Sequence, residues 1–280
     1  MKDKLLVAGC SYTQYNYPTW ADWLGEHFNE YTNLGWSGMG ARHSYIKIVD
    51  YFKYSDINPE DYVVIVQWSS LLRNDIRKME CNTWVGGGQI DNNPYYSDEY
   101  LEKHFNPFDK LNDIVHYVDH LILLSEKLGF KLLMTYMFEP WIQDFLGEPV
   151  NSRDIVKKNI KSVIRSKYLI TLKQLSKSKY WLDPSIERYS LDNPPRHMVK
   201  TTIDGKPYRE HHPTPYQHFL YSRFIAKELN IKLQVRKYKK LSMDITRFLS
   251  ENYNDLKLKK KLEEFDPTHK KLEKIIKEVL

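Results

Sequence analysis

The chain has 280 residues, 41% of them hydrophobic and 28% charged, with two cysteines and a formal net charge of +6. That balance excludes a disordered chain, a collagen-like repeat and a disulfide scaffold; Cys10 and Cys81 have no ligand spacing around them, so a reducing compartment without structural zinc is expected. No apolar run approaches the roughly 20 residues of a bilayer span, and the stretch before Cys10 is far too short for a signal-peptide core, so a cytoplasmic protein is expected.

Residues 1 to 235 alternate short apolar runs with amphipathic segments, which reads as βα units around a mainly parallel sheet. Leu5 to Ala8 is the first expected strand. Trp20, Trp23, Leu24 and Phe28 recur at helical spacing behind Thr19, which can form a capping box with Asp22. Tyr31 to Leu34 reads as the second strand, and Tyr45, Ile48, Val49 and Phe52 as the next helical face. Val63-Val64-Ile65-Val66 is the continuous run expected of a central strand covered on both sides. A long apolar stripe from Leu111 to Leu128 stops at Gly129, a helix C-terminal residue, before a strand from Phe130 to Met137. Ile155 to Leu172 repeats the helical theme, and Tyr180-Trp181-Leu182 is the expected fifth strand. Thr214, Pro215 and Gln217 signal a last helix whose buried face carries Phe219, Leu220, Phe224 and Leu229.

Two stretches break this rhythm. Residues 80 to 107 carry Gly86-Gly87-Gly88, Asn92-Asn93-Pro94 and several aromatics without periodicity, so a long surface insertion is expected there. Residues 183 to 211 are also irregular, with Asp204-Gly205 as a hairpin turn. Beyond Arg236 the composition shifts to Lys, Glu and Leu, with 13 basic against 8 acidic residues in 236 to 280, which reads as a helical C-terminal extension appended to an α/β domain of residues 1 to 235. Acids interspersed with its lysines describe a solvated helical face and argue against nucleic acid, leaving a protein as the partner this extension would dock.

Gly9-Cys10-Ser11-Tyr12-Thr13 directly follows the first strand, the edge at which parallel sheets bind ligands. A serine in that turn exposes its hydroxyl, and backbone N–H groups beside it can hold an oxyanion. Such a serine requires a base. Glu210-His211-His212-Pro213 ends two residues ahead of a helix start, where His212 could take the Ser11 proton and Glu210 could orient the ring.

These blocks resemble the SGNH (GDSL-type) hydrolases: Gly-Cys-Ser-Tyr-Thr at 9 to 13, Asn33-Leu34-Gly35-Trp36-Ser37-Gly38, Gln67-Trp68-Ser69-Ser70 after the third strand, and His212-Pro213 before the final helix. The resemblance runs across roughly the whole of residues 1 to 235. It implies a flavodoxin-like three-layer α/β sandwich, here with five strands, and hydrolysis of an ester without a cofactor. By the same match Ser11 is the nucleophile, His212 the base, and the Ser11 N–H, Gly38 and Ser69 the oxyanion hole. The chain departs from the family at Cys10, where aspartate is usual, and at Ser69, where an asparagine donor is usual; Asn74 is a nearby substitute. Glu210 is the expected acid and Asp183 the fallback.

Metal is the lesser reading of Glu210, His211, His212 and His218, because adjacent histidines diverge and His218 lies on a helix. Tyr12, Trp68, Trp84 and Tyr208 are candidates to line a substrate site, and flat rings with polar edges suit an O-acetylated sugar or another small ester. The competing expectation is a binding or assembly protein that keeps the fold with impaired catalysis and docks a partner through residues 236 to 280.

Overall fold

The computed structural model describes residues 2–15, 17–78, 83–90, 96–137, 163, 166–186, 200–203, 206–209 and 212–252. The chain divides into two compact units, Met1–Ser11 with Thr32–Ser185, and Tyr12–Tyr31 with Ile186–Leu280.

The first unit is built on β1 (Lys4–Ala8), β2 (Glu30–Asn33), β3 (Tyr62–Trp68) and, further along the chain, Lys131–Tyr136, in the spatial order β2, β1, β3, Lys131–Tyr136. β1 pairs with β3 in parallel, Leu5 opposite Val63 and Ala8 opposite Val66, and β3 pairs in parallel with Lys131–Tyr136. Every residue of β3 is buried, so both of its faces are covered, as its unbroken apolar run requires. Ala41–Tyr54 (α2, following α1 at Trp20–Gly25) packs on β1 and β3. The chain is therefore α/β with a mainly parallel sheet and flanking helices.

Between β3 and the last sheet strand the chain makes an antiparallel hairpin, β4 (Arg73–Lys78) with β5 (Thr83–Gln89), then α3 (Asp98–His104) and α4 (Pro107–Leu128); Lys131–Tyr136 is β6. The expected irregular insertion at 80 to 107 is thus corrected to a hairpin and a helix with a core of their own, in which Leu72, Ile90, Tyr96, Leu101 and Phe105 are buried. α4 ends as its sequence requires, with Gly129 in the left-handed region at φ 80°. After α5 (Lys167–Leu175) the expected fifth strand shrinks to one parallel bridge, Trp181 to Met134, so the sheet has four strands with a single-bridge neighbour. The reason is room: turns run as far as Trp181, whose N–H bonds to the Ser178 carbonyl, and Pro184 has no N–H to extend a ladder.

The second unit contains α1, the hairpin β7 (Lys200–Ile203) with β8 (Lys206–Arg209), α6 (Pro215–Leu229) and α7 (Val235–Asn252). Ile203 pairs opposite Lys206, and the turn expected at Asp204-Gly205 lies outside the described residues. Thr19 and Asp22 form the expected capping box on α1, and Thr214 with Gln217 forms the one on α6. Tyr17, Trp23, Phe219, Tyr238, Leu241, Ile245 and Leu249 make one buried cluster. The start of the expected appended extension, α7, therefore contributes to a core; its apolar residues recur three or four apart behind a lysine-rich face. Residues 253–280 lie outside the described residues.

Candidate active site

The C-terminal edge of the sheet gathers the first three sequence blocks within the first unit. β1 runs out into Gly9-Cys10-Ser11, and the Trp36 N–H donates to the Gly9 carbonyl at 3.1 Å, which ties the turn to the segment after β2. Ser11 and Ser69 each stand three residues beyond a paired position, Ala8 and Val66, so they leave neighbouring parallel strands at the same level. Neighbouring strands whose crossovers diverge form the crevice in which open α/β sheets bind ligands. Ser11 is fully buried, as is Cys10, whose Sγ lies 3.3 Å from the Met137 Sδ. Ser69 is buried too, and its hydroxyl has no partner.

Gly38 lies in the left-handed region at φ 83°, in the loop between β2 and α2. That loop is held from outside: the Asp75 carboxylate on β4 accepts from the Gly40 N–H at 2.6 Å and the His43 N–H at 3.0 Å, neutralising the free donors at the start of α2. A Cβ on Gly40 would fall 2.8 Å from the Asp75 Oδ2, so only glycine fits this contact. Trp36, between Asn33 and Gly38, is 61% exposed, the aromatic side chain this edge presents to solvent.

Arg73 is the residue the sequence blocks missed. A turn at Ser70 to Arg73, in which the Arg73 N–H donates to the Ser70 carbonyl at 3.0 Å, swings β4 back toward β1. The Arg73 Nη2 then donates to the Ser11 Oγ at 3.3 Å, while its Nε and Nη1 are buried without any partner. Ser70, Arg73, Asp75, Lys110 and Tyr117 border a small open cleft. Asn74 also borders it, and its Oδ1 accepts from the Lys110 Nζ at 2.6 Å. Burial lowers the Lys110 pKa against the pull of Asp75 and Asp113, and burial beside Asp113 pushes the Tyr117 phenol up to about 12.

In the second unit His212 sits in the last turn before the cap of α6. The Tyr17 hydroxyl donates to the Pro213 carbonyl at 3.0 Å, and the Thr214 Oγ1 accepts from the Gln217 N–H. The His212 ring stacks on Tyr15 at 4.2 Å and meets Tyr12, the residue bonded to Ser11, edge-on at 5.1 Å. One turn into the helix, His218 is fully buried with neither ring nitrogen partnered. Burial first, and the His212 charge second, hold its pKa down at about 3, so it is neutral at every ordinary pH.

Ser11, Gly38 and Ser69 thus belong to one unit, and Tyr12 and His212 pack together in the other. Glu210 and His211 lie outside the described residues, as do the side chains of Trp84 and Tyr208. Asp183 is exposed. Trp68, the last residue of β3, is fully buried and packs in the core of the sheet. Among the described residues no group of His, Cys, Asp and Glu is arranged to hold a metal ion, and no helix is long and apolar enough to cross a membrane.

No family model matches the sequence, and no curated protein matches it. Among solved structures, the chain is similar to a member of the lipolytic protein G-D-S-L family from Veillonella parvula DSM 2008, with 12% sequence identity, a TM-score of 0.41 and coverage of 81% of this chain and 96% of that one. A superposition this loose leaves the chemistry to be argued from the residues themselves.

Proposed function

We propose that the protein is a serine hydrolase that cleaves an ester through Ser11 and His212. The observation that carries this reading is the paired exit of Ser11 and Ser69 from β1 and β3, with the Ser69 hydroxyl buried and free to donate. In the proposed reaction the His212 imidazole accepts the Ser11 proton as Oγ bonds to the carbonyl carbon. The carbonyl oxygen takes the negative charge and is held by the N–H groups of Ser11 and Gly38 and by the Ser69 hydroxyl. Collapse expels the alcohol, which leaves with the proton from His212, and water then releases the acyl group by the same proton path. Glu210 is the proposed orienting acid; Asp183, being exposed, is the weaker choice, since an acid acts on imidazole best when water is excluded. Asn74 is a poorer oxyanion donor than Ser69 because its amide is tethered at both ends, Oδ1 accepting from Lys110 and the side chain bonding to Tyr96. An acetylated sugar is the first substrate to assay.

A fluorophosphonate probe followed by mass spectrometry tests the reading. Labelling of Ser11 is expected in the parent, none in Ser11→Ala, and strongly slowed labelling in His212→Ala. A folded parent that takes no label, or a His212→Ala protein that labels at the parent rate, would falsify the hydrolase reading and favour a binding protein on the same scaffold. For that alternative, the apolar face of α7 is already covered within its own unit, so docking through residues 236 to 280 would have to use the helix's polar face or residues 253–280.

A further inference from the structure

A guanidinium keeps its charge in a protein interior, since it cannot be deprotonated there. Two nitrogens of Arg73, Nε and Nη1, are nevertheless buried with no partner, and the third bond of the group goes to a neutral hydroxyl, that of Ser11. No carboxylate forms an ion pair with Arg73 among the described residues. Asp75, two residues on, directs both carboxylate oxygens at the N–H groups of Gly40 and His43.

The cleft that Arg73 borders is charged in the same sense. Arg42 and Lys110 join it against Asp75 and Asp113, with one of those acids already spent on the start of α2. Lys110 is held by a neutral amide oxygen, that of Asn74, at 2.6 Å. Half-buried cations that meet only neutral groups are incompletely satisfied, and an anion entering the cleft would supply charge-assisted hydrogen bonds. Tyr117, stacked on Tyr45 at 4.4 Å, gives the cleft one flat apolar wall.

We infer that this cleft is a recognition pocket for an anionic oxygen group, a carboxylate or a phosphate, bound by Arg73 and Lys110 beside Ser11. If Ser11 is the nucleophile proposed above, the ester it cleaves carries such a group; the pocket itself does not depend on that reading. Specificity would follow from the charge: a neutral ester leaves the Arg73 nitrogens as they are, whereas an anionic ester fills them.

Isothermal titration of the full chain with inorganic phosphate and with glutarate, at fixed ionic strength, tests the pocket and tells which oxyanion it prefers. Saturable binding of at least one anion is expected. Arg73→Gln should weaken it about ten-fold or more, and Lys110→Gln should weaken it as well. Arg73→Lys, which keeps the charge but loses the planar fork, should fall between parent and Arg73→Gln, and it decides the matter if Arg73→Gln does not fold. Lys179→Gln, an exposed lysine of the same unit, should bind as the parent does. A folded parent that binds neither anion, or Arg73 variants that bind like the parent, overturns the inference. Labelling of Ser11 without anion binding would sink the pocket alone, whereas anion binding without labelling would sink the hydrolase and leave the pocket standing.

Discussion

Replacing His218 with phenylalanine should make the protein less sensitive to acid. The ring is fully buried on α6, between the edges of Tyr12 at 6.4 Å and Tyr17 at 6.2 Å, and neither nitrogen has a partner. Folding therefore holds the imidazole neutral, with its pKa lowered from 6.5 to about 3. A base whose folded pKa is depressed contributes stability that is present above its unfolded value and lost as pH falls toward the folded one. Between about pH 7.5 and about pH 5 the unfolded chain binds almost one proton that the folded chain refuses. Integrating that difference gives a loss of about 2 kcal/mol. Phenylalanine keeps a ring of similar size and removes both unpartnered nitrogens, so the variant should not suffer this loss and should match or exceed the parent at neutral pH. Urea unfolding followed by circular dichroism at the two pH values measures it. The His218 ring-proton shift, followed by NMR over the same range, should stay constant. Equal losses of stability in parent and variant, or a His218 resonance that titrates near neutrality, would show that the ring finds a partner and that the burial argument is wrong.

Asp22 should act with the opposite sign. Burial raises its carboxyl from 3.8 to about 6, opposed by hydrogen bonds from Thr19 and Tyr31, so its contribution is greatest below about pH 3.8 and is lost as pH rises through about 6. Asp22→Asn should flatten that part of the stability curve and gain at about pH 8 up to about 3 kcal/mol, less whatever the altered Thr19 contacts cost; a variant destabilised equally at all pH values would assign the side chain to capping alone. Leu249, at 1% exposure on α7, should cost about 2 to 4 kcal/mol when cut to alanine, read from the shift of the urea midpoint. A cost below about 0.5 kcal/mol, typical of surface sites, would return α7 to the status of an appendage.

What the sequence shows and what it hides follow one physical division. β3, the capping boxes at Thr19 and Thr214 and the Gly129 helix end are legible because the chemistry that fixes each lies within a few neighbouring residues. The β4–β5 hairpin is not. Its first strand, Arg73-Asn74-Asp75-Ile76-Arg77-Lys78, offers a single apolar residue, and its glycines serve contacts distant in sequence: a Cβ on Gly87 would lie 2.6 Å from the Asn74 carbonyl and 2.5 Å from the Tyr96 hydroxyl. α7 is expected as a helix, but its packing into a core escapes notice, since a basic composition masks the spacing of Val235, Tyr238, Leu241, Ile245 and Leu249. At the candidate site, Ser11 and Ser69 can be read from their places after strands. Arg73 cannot, because only the Ser70 turn reveals that it faces Ser11; a charged residue directly after the Trp68 to Leu72 run is the one local sign of it.

Two buried ionisable groups, His218 and Asp22, and two half-buried ones, Lys110 and Arg73, differ in how far titration can relieve burial. His218 escapes by staying neutral. Asp22 can take up a proton near pH 6 and accepts three hydrogen bonds when it is charged. Lys110 has its pKa lowered and an amide oxygen at 2.6 Å. Arg73 differs in that two of its nitrogens, Nε and Nη1, are buried without an acceptor. A fold that wanted only to fill this position could do so with an apolar side chain at lower cost, because replacing buried charge by well-packed carbon is often neutral or stabilising. Retaining a guanidinium against Ser11 is thus a standing expense in folding free energy, and what offsets it must arrive from outside the chain as negative charge. Stability itself provides the check: saturating phosphate or glutarate should raise the urea midpoint of the parent and leave that of Arg73→Gln where it was, since only a ligand that meets the buried charge can return that free energy.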